Sequence, residues 1–273
     1  MYISSSYYNQ KAPSFGVNLS SPKLNFERKD FFIKIKGYGR NKIWADEIIK
    51  KADVAVNLLR NENSVENVLK CVAAGVRIAN QNDENLAKRS DSGILRIKRE
   101  NWIYDDKEYG KDYKLATGYI NSKYSLYETR FDKTYLKPIR PINKNIGMTI
   151  CTNFHILEHG HWSKVNDSLD YIFNLSNKLF PKYVQTEVKP ENLDEVNSTI
   201  AEIRWVLAHS TPWFRGSDAI ANVFMRVMYK AMGIKCYPPA KNISFDLEAY
   251  CTELEDYKKN FTTYFTKPPE IIE

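Results

Sequence analysis

The chain has 273 residues, 40 Lys+Arg against 33 Asp+Glu, a formal net charge of +7, and 43% hydrophobic and 13% aromatic residues. That length is enough to bury a core as one large domain or two small ones, and that composition excludes a disordered chain. With 11 Gly and 11 Pro, a collagen-like repeat or a Gly-rich fold is excluded as well.

The charge is concentrated at the start. Residues 1–42 carry eight basic groups (Lys11, Lys23, Arg28, Lys29, Lys34, Lys36, Arg40, Lys42) against Glu27 and Asp30, so this stretch alone is +6. The remaining 231 residues are nearly neutral, which argues against a basic body built to coat nucleic acid. Residues 1–42 therefore read as a basic, flexible leader, or as an arm attracted to an acidic surface such as a membrane. The opening segment is rich in Ser, Tyr and Asn, and no basic stretch leads into an apolar core, so no Sec-type signal is expected. No run approaches the ~18 apolar residues of a membrane span, so no transmembrane segment is expected. Cys71, Cys151, Cys236 and Cys251 are far apart and form no C-x-x-C, which points to a reducing compartment.

The first helix is predicted over Ile43–Arg60, where Trp44, Ile48, Ala52, Ala55 and Leu59 recur at helical spacing. Ser64 is placed to cap the next, with Glu66 in its first turn and Val65, Leu69, Val72, Val76 and Ala79 as its apolar stripe. Residues 80–92 form a polar break. Residues 93–150 change character: Ile94–Lys98 alternates as a strand does, seven tyrosines fall from Tyr104 to Tyr135, and the prolines of Lys137–Pro141 demand extended backbone. This block reads as a small lobe rich in strands and loops. Its tyrosines either fill half-buried strand faces or stack on bases.

From Lys164 the chain is helical again. One helix carries Val165, Leu169, Ile172 and Leu179 on one face and is expected to stop at Pro181. Pro190 is placed to start another, with Leu193, Val196, Ile200, Ile203 and Leu207 inward. Ser217–Met232 is a third, closed by Gly233, and a last helix begins near Ser244 or Asp246 and buries residues through Phe261. The predicted fold is mainly α (α+β). After the leader, 43–273 form a single bilobal domain, with 93–150 as its strand- and loop-rich lobe and 164–265 as its helical core.

Two segments hold candidate chemistry. Glu202, Trp205 and His209 recur at i, i+3, i+7, off the main apolar stripe, which predicts an acid, an aromatic and an imidazole presented together. Beyond them, Arg215-Gly216-Ser217 opens a helix. A helix N-terminus has unpaired N–H groups and partial positive charge, Gly allows close approach, Ser can cap the helix or bond an anion, and Arg grips a phosphate or carboxylate. The competing reading is a plain Ser cap with Arg paired to a nearby acid. The other segment is His155-Ile-Leu-Glu-His159-Gly-His161, three of the four histidines. On a helix, His155 and His159 would share a face as zinc pairs do, but Gly160 works against such a helix and no metal is expected.

The segment from about Ile200 to Phe265, a quarter of the chain, resembles the C-terminal part of AvrB-type bacterial virulence effectors, a divergent branch of the Fido (Fic/Doc) superfamily. The resemblance rests on Trp205 ten residues before Arg215-Gly216-Ser217, then Ala219 and Ala221, Gly233-Ile234, Pro238-Pro239, and Asp246-Leu-Glu248-Ala249. Related sequences often have His where this chain has Arg204. The His-Pro-Phe…Gly-Asn-Gly-Arg motif of AMP-transferring Fic enzymes is missing. The resemblance implies a Fido-like helical core and export to the host cell cytoplasm. It also implies a host protein target and a cleft for a nucleotide or nucleotide sugar. On it, Arg215, Gly216, Ser217 and Asp246 hold the donor, Glu202 or His209 serves as base or orienting group, and one of His155, His159 and His161 lines the cleft. The implied activity is transfer of a sugar to a protein hydroxyl. Nucleotidyl (AMP) transfer and non-catalytic binding of a host protein are the alternatives.

Overall fold

The computed structural model describes residues 24–34, 41–61, 64–84, 86–87, 91–116, 127, 130, 141–143, 146, 149–152 and 156–272. It is mainly α, with seven α-helices and two small antiparallel sheets among these residues. Helix α1 (Lys42–Arg60) starts at Asn41, whose side chain accepts from the Trp44 N–H, and α2 (Val65–Gln81) starts at Ser64, which accepts from the Asn67 N–H. The two pack together, and both pack on α5 (Ser217–Ala231). Part of the expected leader is docked here. Residues Arg28–Phe31 form a 3-10 turn, Phe26, Phe31 and Ile33 lie against the core, and Arg28 pairs with Asp46 of α1.

The segment expected as the strand Ile94–Lys98 forms isolated bridges, not a ladder. Leu95 meets both Tyr104 and Trp213, and Ile94, Leu95, Arg96 and Ile97 are all buried. With both faces covered, the alternation of a half-exposed strand does not apply. The strands of this region lie elsewhere: β1 (Lys114–Ala116), β2 (Ile150–Thr152) and β3 (Ile156–Glu158), in order β1-β3-β2, with Leu157 opposite Leu115 and Cys151. Tyr119, Tyr124, Tyr135 and Pro138 lie outside the described residues.

Helix α3 (Val165–Val184) passes through Pro181 and does not stop at it. Phe180 and Tyr183, both buried, flank the proline, and their packing offsets the lost hydrogen bond. After a 3-10 turn begun by Pro190, α4 (Leu193–Ser210) runs through the centre, against α3, α5, α6 (Phe245–Tyr250) and α7 (Leu254–Asn260). The single C-terminal helix expected from Ser244 onward is broken between α6 and α7. Within the break the Thr252 carbonyl accepts from the Trp205 indole N–H at 3.0 Å. A 3-10 turn (Phe261–Tyr264) and the pair β4 (Ile234–Lys235) and β5 (Glu270–Ile271) complete the fold.

Because other helices pack around the C-terminal half of α4, Trp205 and His209 are not presented to a cleft. Trp205 and His209 are fully buried against α6 and the residues after it. A helix buried all round must satisfy its polar groups internally. Trp205→Ala removes a full indole and its bond to Thr252, and a cost of about 3–5 kcal/mol is expected. Urea unfolding of wild type and variant measures it, and a change below about 1 kcal/mol would contradict a central α4.

Candidate functional site

The site begins at the end of α4. Thr211 takes left-handed backbone at φ 40°, turning the chain out of the helix, and its hydroxyl donates to the Ala208 carbonyl. Arg96, fully buried, donates to the carbonyls of Ser210 (2.9 Å), Thr211 (3.0 Å) and Gly160 (3.0 Å). A guanidinium on terminal helix carbonyls suits the negative end of the helix dipole. Among the described residues no carboxylate pairs with it, and burial lowers its pKa to about 10. The return strand is laced to residues 92–96: Arg96 N–H to Pro212 (3.0 Å), Phe214 N–H to Ile94 (3.1 Å), Gly93 N–H to Arg215 (3.1 Å).

This lacing fixes Arg215-Gly216-Ser217. Gly216 is the N-cap of α5 at φ 81°, a conformation glycine takes without strain, and a Cβ there would sit 3.4 Å from the Val76 side chain. The Ser217 hydroxyl neither caps α5 nor faces outward. It donates to the Trp213 carbonyl (3.0 Å) and accepts from the Trp213 N–H (3.2 Å). So α5 has no side-chain N-cap, which suits an anion at its first turn. Arg215 is exposed, and its Nε pairs with Asp91 at 2.9 Å, also exposed.

Beside this turn lies a charged cluster that the sequence did not announce. Arg204 of α4 is 1% exposed and donates through Nη2 to Asp218 in the first turn of α5. Asn222 donates to the other Asp218 oxygen at 3.1 Å. Arg204 Nε and Nη1 and Asn222 Oδ1 are buried and have no hydrogen-bond partner among the described residues. Asp246, in the first turn of α6, accepts from the Ser244 hydroxyl and from the Leu247 N–H (2.8 Å). Burial and the charge of Asp246 push the Asp218 carboxyl up to about 7, outweighing the pull of Arg204.

Glu202 and Arg204, two residues apart, leave α4 roughly 200° apart. Glu202 accordingly turns away from this cluster, where it accepts from Tyr171 and pairs with Lys258 at 3.3 Å. His209 is committed on both nitrogens. Nδ1 accepts from the Thr149 N–H at 3.0 Å, so Nε2 carries the proton and donates to the Ala249 carbonyl at 3.0 Å. His159 follows β3, so residues 156–158 are strand and not helix. It is buried, stacks on Tyr113 at 5.3 Å, and meets the Thr149 hydroxyl at 3.0 Å. His161 is exposed and accepts from the Ser163 N–H, and His155 lies outside the described residues.

A family model described as Avirulence protein (AvrB_AvrC) matches residues 4–268. The chain belongs to this family. It is therefore a bacterial avirulence effector, with a target in the host and delivery into host cells. No curated protein matches it. No helix among the described residues is long and apolar enough to cross a membrane. Within this effector the structure brings Arg215 and Gly216 to one helix start and Asp246 to another, and leaves Glu202 and His209 in the packing.

Arg204 had one sequence signal, a lone charge inside the apolar run Ile203–Ala208, which demands a buried partner. Asp218 had only the look of a helix-start acid. Glu248 is held by two 2.8 Å bonds from Arg130 and one of 2.8 Å from Tyr127, and no local pattern announces partners so distant in sequence.

His159 and His209 sit at about 3 instead of 6.5, chiefly because burial disfavours their charged forms. The unfolded chain binds their protons first, so their contribution is complete above about pH 6.5 and is lost as pH falls toward 3. Asp218 acts oppositely: raised from 3.8 to about 7, it favours the fold most at low pH and loses that contribution as pH rises through 7. Two histidines outweigh one carboxylate between about pH 4 and 6. The urea midpoint should fall from pH 7 to pH 5, and His209→Gln should flatten that slope by about one proton. An unchanged slope would rule out a buried neutral His209.

Proposed function

We propose that this effector is a Fido-like transferase that moves a sugar from a nucleotide sugar to a Ser or Thr hydroxyl of a host protein. The observation that carries this reading is the start of α5. Gly216 leaves the first-turn N–H groups without a side-chain cap, and Arg215 stands exposed beside them. Asp91 takes the Nε of Arg215, and no other described residue takes its remaining N–H groups, which suit a diphosphate. An arginine and a helix N-terminus together stabilise the negative charge that grows on a leaving diphosphate. Asp246 opens the neighbouring helix with a carboxylate suited to a hydroxyl. The donor supplies the activated sugar; the chain's own groups hold, orient and neutralise.

Non-catalytic binding of a host protein has one observation in its favour: Glu202 and His209, the two residues expected as base, are both bound into the interior. On that reading Arg215 serves no donor. Incubation with host lysate and a panel of nucleotide sugars and ATP separates the readings by mass. A sugar adduct is expected, lost in Arg215→Ala, together with a donor affinity lower by roughly ten- to a hundred-fold. A nucleotide adduct would instead indicate nucleotidyl transfer. Absence of any adduct, with partner capture unaffected by Arg215→Ala, would favour the binder.

A further inference from the structure

The turn that presents Arg215 is met by an acid. Asp91 accepts from the Arg215 Nε at 2.9 Å through Oδ2, and no other described residue takes the Nη1 and Nη2 groups at the far end of the guanidinium. An arginine offers two pronged edges, and the end-on one, Nη1 with Nη2, stays whole when Nε is taken. We propose that Asp91 is a positioning residue for anion binding at the start of α5: it grips Arg215 by Nε and so aims the Nη1–Nη2 fork at a diphosphate. The proposal rests on the anion seat of the transferase reading above and deepens it by naming the residue that orients its arginine.

The backbone carrying Asp91 is fixed against both Arg215 and α2. Ser92, 1% exposed, forms a parallel bridge with Arg215, and the Gly93 N–H donates to the Arg215 carbonyl at 3.1 Å. The Ser92 hydroxyl accepts from Asn80 (2.8 Å) and its carbonyl from Arg77 (3.2 Å), both of α2. Gly93 sits at φ 73°, and a Cβ there would lie 2.8 Å from the Ala73 carbonyl oxygen, so the turn rests flush on α2. The two partners of the ion pair thus rise from backbone that is already tied together. Their side chains are 51% and 41% exposed, and a pair this open adds little to stability. Its effect lies in restraint: a free arginine loses rotamer freedom when it meets a ligand, and one already held by Nε loses less. On charge alone Asp91 would repel a diphosphate. Orientation and charge therefore act in opposite directions, which lets an experiment separate them.

The test titrates the full chain with ADP and UDP as diphosphate probes, up to millimolar concentration. Asp91→Asn and Asp91→Ala both remove the negative charge, but only Asn keeps an oxygen for Nε. The Kd of the better-bound probe should be about fivefold or more higher in Asp91→Ala than in Asp91→Asn. In an Arg215→Ala background the same two variants should agree within about twofold, because no fork is left to aim. Their urea midpoints should agree as well, since the position is exposed. Equal Kd values for the two Asp91 variants beside an intact Arg215 would overturn the proposal, and so would a difference that persists without Arg215. If neither probe binds the wild type, the anion seat is wrong and this role falls with it. If Asp91→Ala weakens binding as expected but no nucleotide sugar gives an adduct, the transferase reading alone fails and Asp91 keeps its role.

Discussion

The burial of the C-terminal half of α4 is the constraint on which the rest of the structure depends. Twelve of its 18 residues are buried, and several of them carry polar atoms. The hydrogen bonds these polar atoms make lead to elements other than α4. Asn197 accepts from Tyr229 of α5, Arg204 bonds Asp218 at the head of α5, and Trp205 bonds Thr252 beyond α6. His209 joins Thr149 to Ala249, and Glu202 joins Tyr171 of α3 to Lys258 of α7. The helix is a core element and also the template against which the others are registered.

The same logic explains why the Arg215-Gly216 turn is well placed although it is largely irregular chain. Arg96 binds the last carbonyls of α4 and the carbonyl of Gly160, so two segments far apart in sequence share one guanidinium. The 212–215 strand is then tied to residues 92–96 by backbone bonds, and the Ser217 hydroxyl closes the turn on Trp213. A short loop held at both ends and in the middle can present an arginine and a helix start with little conformational freedom left to lose on binding. A hydroxyl used in this way is unavailable to a ligand, and that is the physical reason Ser217 serves the turn and not the anion.

Helix periodicity made α1, α2, α4 and α5 legible in the sequence, because each has an apolar stripe, and the Ser64 cap and the Gly233 stop sit where local chemistry requires them. Local rules failed where tertiary contacts outweighed them. Pro181 is carried through α3 by the packing of Phe180 and Tyr183, and the C-terminal helix breaks where Trp205 takes the Thr252 carbonyl. Of the candidate site, the helix starts at Arg215-Gly216 and near Asp246 were legible, because one sequence pattern carries both. The i, i+3, i+7 spacing of Glu202, Trp205 and His209 was correct as geometry, but spacing alone does not say whether a second face meets solvent or another helix. The Arg204–Asp218 pair spans two helices, and nothing local distinguishes a helix-start aspartate that caps from one that neutralises a buried cation.

That pair is hard to explain as a device for stability. Burying two charges costs several kcal/mol per ion before their attraction is counted, and well-packed apolar residues in their place are often neutral or better. Here the attraction is incomplete, because among the described residues Arg204 Nε and Nη1 and Asn222 Oδ1 find no partner. A second carboxylate, Asp246, adds repulsion to Asp218 and raises the cost further. A cluster that is under-satisfied, like-charged in part and set at the starts of two helices resembles the strained, perturbed groups that gather at functional sites. The fold tolerates it because α4 holds Arg204 rigidly and the surrounding core supplies the stability that the cluster does not.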